Sequence, residues 1–159
     1  MPLVAAHAGD LVEIRIAAIV AIRVTERPPA LRDPGWLAQV YSPSSPGPAW
    51  FTSGGPRPSV AAALSELRAA ADRGLRPGDY GIVALERLIE AATRPGAPAE
   101  AVAQADVALT TAVLRLMSDA RSGRVRPQDL EPNYRAPAKD ARFVAALREA
   151  VAADRLAAA

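Results

Sequence analysis

The stretch Ala105 to Leu130, ADVALTTAVLRLMSDARSGRVRPQDL, restricts the fold more than any other part of the chain. Leu109, Val113, Leu116 and Met117 recur at helical spacing with Ala105, Ala112 and Ala120 beside them, while Arg115, Asp119 and Arg121 lie opposite. The pattern predicts an amphipathic helix. Gly123 stands where a helix needs a left-handed residue to close its last turn, Arg121 and Arg124 suit the negative end of the helix dipole, and Pro127 prevents resumption. The helix should stop near Ser122. Traced back to Ala99, just past the turn composition RPGAP at 94–98, it is roughly 34 Å long at about 1.5 Å per residue, so the other elements must pack around it.

Those elements are shorter. A helix starting at Pro58 or Ser59 buries Val60, Leu64 and Leu67 and ends at Gly74, with Leu75 folding back as the accompanying apolar contact. A second spans about Asp79 to Ala92 with Leu85, Leu88 and Ile89 inward. Beyond the central helix, 126–139 reads as a proline-punctuated connector anchored by Leu130 and Tyr134. Asp140 then caps a last helix whose apolar stripe is Phe143, Leu147 and Val151. Pro28-Pro29, Asp33-Pro34-Gly35 and the loop Ser42 to Pro58 around Trp50 and Phe51 make an irregular, Pro-rich lead-in. The expected fold is all-α, a small bundle of four or five helices around a long central helix with an irregular Pro-rich N-terminal arm. Leu11 to Val24 is a core helix or strand. Its uncharged run, Ile16 to Ile22, is far short of a membrane span, and Glu13 before it and Arg23 after it do not suit a signal peptide.

Half of the 159 residues (50%) are hydrophobic, but much of this is alanine, and only 4% are aromatic. Alanine favours helix and buries little area, so the core must be made of close helix contacts around a few Leu, Val, Ile and aromatic anchors. That makes core the favoured place for Trp36, Trp50, Phe51 and Tyr80, the alternative being a carbohydrate platform. A net charge of +2 is too small to argue for nucleic acid. The basic cluster Arg121, Arg124, Arg126, Arg135, Lys139 and Arg142 has only Tyr134 to stack a base. His7 has no converging ligands, and Glu86 and Glu90, beside Arg87 and Arg94, read as a solvated face rather than an acid/base pair. No metal or cofactor is called for.

Three ordered motifs carry a resemblance. Pro48-Ala49-Trp50-Phe51 precedes a helix, Arg73-Gly74-Leu75-Arg76-Pro77-Gly78-Asp79-Tyr80 follows it, and Asp106, Leu109, Thr110, Ala112, Asp119, Gly123, Arg124, Val125 and Pro127 fit the pattern D-x-x-L-T-x-A … D-x-x-x-G-R-V-x-P. Together they resemble the scaffold domain of large bacterial L,D-transpeptidases, which cross-link peptidoglycan without penicillin-binding proteins. The resemblance runs from Trp36 to Ala159, leaves 1–35 as a poorly defined N-terminal segment, and departs where Arg73 replaces a His and Ala105 a Leu.

In that family a separate β-rich domain does the chemistry, through a histidine and a Ser-His-Gly-Cys segment that supplies the attacking thiolate. This chain has no cysteine and one histidine, so it cannot assemble that nucleophile. The resemblance therefore implies a non-catalytic part, truncated before the covalently linked catalytic domain of its relatives and located at the cell envelope, with cytoplasmic retention the alternative. The implied partners are peptidoglycan or a cell-wall protein. A stand-alone adaptor, contacting the wall through the Trp50 to Arg57 arm and the basic end of the central helix, and an inactive gene remnant are the other readings. Asp106 and Thr110 share one helix face and either bond a neighbouring loop or arginine or contact wall glycan or a partner.

Overall fold

A computed structural model describes residues 8–26, 31, 33, 35–42, 47–122 and 142–153. Six α-helices lie among them: α1 (Ala8–Glu26), α2 (Gly35–Val40), α3 (Pro58–Arg68), α4 (Ile82–Thr93), α5 (Ala99–Ser122) and α6 (Arg142–Ala152). A two-residue antiparallel ladder, β1 (Phe51–Thr52) and β2 (Gly55–Pro56), pairs Phe51 with Pro56 and Thr52 with Gly55. Among the described residues the fold is all-α apart from this small hairpin, which gives local order to a stretch that reads as irregular from its prolines.

The central helix is α5, packed most extensively against α1 and α4 and also against α2 and α3. Its 24 residues are more deeply enclosed than a single stripe predicts. Leu109, Val113, Leu116, Ala105 and Ala112 are buried as expected, but so are Ala103, Asp106, Val107, Thr110, Leu114 and Ser118, while Ala120 is exposed. Small side chains on several faces let neighbouring backbones approach from more than one direction. Leu11 to Val24, open to helix or strand by sequence, lies within α1, which buries Ile16 and Val20. The additional α2 buries Trp36, Leu37 and Val40, and its first amide, Gly35 N–H, is accepted by Asp33 Oδ1 at 3.0 Å.

Pro58 opens α3 at its first turn, where a missing N–H costs nothing, and Val60, Ala63 and Leu67 are buried at i, i+3 and i+7 spacing, with Leu64 half-buried. The α-helix tightens to a 3₁₀ turn at Ala69–Arg73 and closes at Gly74, whose φ of 71° is left-handed. Gly74 N–H reaches Ala71 O and Leu75 N–H reaches Ala70 O, and Leu75 is buried against the end of the turn. The expected helix start at Asp79 is corrected. Pro77–Tyr80 is a separate 3₁₀ turn, and Gly81, with φ 64°, reverses the backbone before α4 begins at Ile82. Periodicity could not report this, because a positive φ interrupts a helix without changing the apolar spacing. In α4 Leu85 is buried and Leu88 and Ile89 pack partly against the core. On α6 the buried residues are Val144, Leu147 and Val151; the cap at Asp140, the anchors Leu130 and Tyr134, and the Phe143 side chain lie outside the described residues.

No heavy atom lies within 4 Å of a Cβ built on Gly74, so a substitution there meets only the backbone penalty of the left-handed conformation. Gly74→Val should destabilise the domain by about 1–2 kcal/mol in chemical denaturation, and an unchanged midpoint would refute the closure.

Candidate functional site

Buried polar side chains mark the places where α5 does more than fill space. Asp106 is wholly inaccessible to solvent, as is Thr110 one turn later. Asp106 Oδ1 accepts the Tyr41 hydroxyl at 2.6 Å and the Ala49 N–H at 3.0 Å, and Oδ2 accepts the Trp50 N–H at 2.8 Å. Thr110 Oγ1 accepts the Trp50 indole N–H at 2.8 Å and lies 2.6 Å from the Tyr41 hydroxyl. Proton counting fixes the direction. The single Tyr41 proton is given to Asp106, so Thr110 donates to the Tyr41 oxygen and the indole donates to Thr110. Every link points toward the carboxylate, and each polarises the next.

Burial holds the Asp106 carboxyl above the usual carboxylate range, while the Tyr41 hydroxyl and the amides of Trp50, Ala49 and Phe51 pull it back. Since all of these neighbours donate, the arrangement suits the ionised form. Burial, then the adjacent Asp106 charge, pushes the Tyr41 phenol well above its ordinary value, so it stays a neutral donor. A carboxylate so enclosed has no approach for a substrate. The neighbour that Asp106 and Thr110 bond is thus a loop, with Tyr41 added, a residue that sequence reading did not single out.

A second knot ties the other end of α5 to the Pro77–Tyr80 turn. Tyr80 Oη donates to Asp119 Oδ2 at 3.2 Å, and Arg115 Nη1 donates to the Asp79 carbonyl at 2.8 Å. The Arg115 guanidinium also lies 5.6 Å from the Tyr80 ring centroid and 3.8 Å from the Asp119 carboxylate. Arg115 and Asp119, expected on a solvated face, are instead docked against this turn. The residues separate into two sets, Trp50 with Asp106 and Thr110, and Asp79 and Tyr80 with Asp119. The two carboxylates on α5 are thirteen positions apart, about 20 Å of helix, so they form no acid/base pair. Gly74 and Leu75 close α3's extension, Pro77 opens the 3₁₀ turn, and Leu109 is core. Gly123, Arg124, Val125 and Pro127 lie outside the described residues, as do His7 and the basic positions Arg126, Arg135 and Lys139.

The aromatic platform is excluded by burial: Trp50 is fully buried and Trp36, Phe51 and Tyr80 nearly so. An adaptor contact through the Trp50 ring loses its basis with it. Glu86 and Glu90 are exposed partners of Arg68 and Arg94, and Arg73 pairs with Glu66 at the surface. Among the described residues no cluster of His, Cys, Asp or Glu could hold a metal ion, and no helix is long and apolar enough to cross a membrane. A groove of about 560 Å³ runs between α1 and α4 over α5, lined by Ile19, Ile22, Leu85, Leu88, Val107 and Ala108 among others.

A family model described as "Scaffold domain" matches residues 35–159. The chain belongs to the Scaffold domain family. No curated protein and no solved structure matches it. The matched span of this Scaffold domain contains both polar knots and excludes α1.

Replacing Thr110 by Val keeps the shape of the side chain but strands the indole N–H of Trp50 and removes the donor to Tyr41. Thr110→Val should destabilise by about 2–4 kcal/mol, with a shift in Trp fluorescence, and a double-mutant cycle with Tyr41→Phe should be non-additive. Additive losses would mean the relay is not shared.

The Asp106 carboxyl also predicts a pH dependence. The folded state holds its proton more tightly than the unfolded chain does, so this linkage favours folding at low pH. It is lost as pH rises from about 3.9 through the raised folded-state value. The stability of the wild type relative to Asp106→Asn, which cannot titrate, should therefore increase on acidification toward pH 4. A gap that narrows instead would show the hydrogen bonds outweighing burial.

Proposed function

We propose that this chain is the non-catalytic scaffold part of an L,D-transpeptidase-like protein, acting at the cell envelope in peptidoglycan cross-linking. The observation that carries the reading is the fate of the motif residues. Trp50, Asp79, Tyr80, Asp106, Thr110 and Asp119 are engaged in contacts within the domain that hold loops and turns to α5. Membership of the Scaffold domain family and the lack of any cysteine support the same conclusion. A residue whose hydrogen bonds are used internally contributes rigidity, and acyl transfer needs an exposed, activated nucleophile. The role assigned to the domain is to fix the position of a catalytic domain on the same polypeptide.

Two measurements test this. Purified chain incubated with a tetrapeptide donor stem and an acceptor stem should give no cross-linked product by mass spectrometry; turnover would overturn the non-catalytic reading. Long-read sequencing past the Ala159 codon should find an in-frame segment encoding the histidine and Ser-His-Gly-Cys of a catalytic domain. A stop codon there would overturn the covalent scaffold role.

A further inference from the structure

A smaller pocket, of about 160 Å³, lies where α2 and α6 meet the loop 47–50. Its floor is apolar: Trp50, Val40 of α2, and Leu147 and Val151 of α6, all of them buried. Two cations far apart in the chain share its wall. Arg57, the residue before α3, and Arg148, on α6, both line it and are both half-buried, and Arg57 Nε is cut off from solvent. No Asp or Glu is among the described residues of the wall. Asp106 lies outside it, its oxygens taken up by Tyr41 and by the Ala49 and Trp50 amides, and Glu13 packs against Gly47.

Two like charges brought to one small, partly desolvated cavity repel each other, and an anion placed with them turns that repulsion into attraction. The guanidinium suits the task. It presents five N–H donors in a planar fork, so an arginine that holds a neighbour within the domain still offers donors to a bidentate acceptor. Arg148 uses one of its five, from Nη1, on the Gln39 carbonyl at 3.4 Å. At about 30 Å³ per water the pocket has the room of roughly five waters, enough for a carboxylate on a short apolar side chain and far too little for a folded partner. We propose that this pocket binds a small organic carboxylate, with the two arginines on its oxygens and the Val40, Trp50, Leu147 and Val151 floor against its apolar substituent. An inorganic oxyanion satisfies the first set of contacts alone, and a neutral amide the second alone. The site needs neither a nucleophile nor a second domain, so it stands apart from the scaffold reading.

Isothermal titration calorimetry of the full chain with sodium isovalerate at low ionic strength tests it. Saturable binding at a single site is expected, weakened by about tenfold or more in Arg57→Met and in Arg148→Met, each of which removes a charged donor and keeps an apolar stem. The melting curve of Arg148→Met, on the half-buried flank of α6, should stay that of the wild type, so its loss of affinity is read on a folded protein. Isovaleramide and inorganic phosphate should each bind about tenfold or more weakly than isovalerate. No saturable heat, or an affinity unchanged in Arg148→Met, would overturn the site. Equal binding of isovaleramide would show an apolar crevice without an anion site, and equal binding of phosphate would show that the floor takes no part; either result overturns the proposal.

Discussion

A carboxyl group sits at the centre of this fold without access to water. Removing a carboxylate from water costs several kcal/mol even after the protein relaxes, so Asp106 is tolerable only where donors from outside its own helix converge on it. That requirement shapes the molecule. Tyr41, just past the end of α2, and the backbone of residues 49–51 must meet at one turn of α5, which fixes α2 against α5 and brings Trp50 into the core. The rest follows from the Trp50 position. Its carbonyl accepts the Arg57 N–H at 2.9 Å, closing the hairpin and aiming α3, while α6 packs on the α2 that Tyr41 has placed.

The opposite end of α5 is pinned by the same logic in a more exposed setting. Arg115 contributes a donor to a carbonyl, a cation to a ring face and a charge to Asp119, which holds the Pro77–Tyr80 turn and so the entry to α4. Between the pins lie alanines and short aliphatic side chains. In such a core each aromatic ring supplies area that no alanine can, which is why both tryptophans are buried rather than displayed.

What the sequence makes legible is the local chemistry of boundaries. Pro58, Gly74 and the RPGAP turn each act through a backbone rule that applies wherever the residue sits, and the helices begin or end close to them. Long-range polar partners leave no such trace. Tyr41 and Asp106 are 65 positions apart, and nothing periodic links them; the only hint is the Asp106 and Thr110 pair, polar residues one turn apart among apolar neighbours. Arg115 and Asp119 mislead for the opposite reason, since charges on an amphipathic helix ordinarily face water. In α1 charged residues are scattered among the apolar ones, so no stripe assigns its helical period.

A motif of polar residues on a helix is often taken as a sign of chemistry, but accessibility and free lone pairs decide. In Asp106 both oxygens accept from within the domain, and the tyrosine beside it is held neutral. Such a group cannot exchange a proton with a substrate; it can hold geometry. Apolar packing alone lets one helix slide or roll on another at small cost, whereas short hydrogen bonds of fixed direction at two points about 20 Å apart along α5 oppose both motions. For a domain whose proposed task is to keep another in place, stiffness of this kind is the functional property. It depends on side chains that a search for catalytic residues would select first and interpret as chemistry.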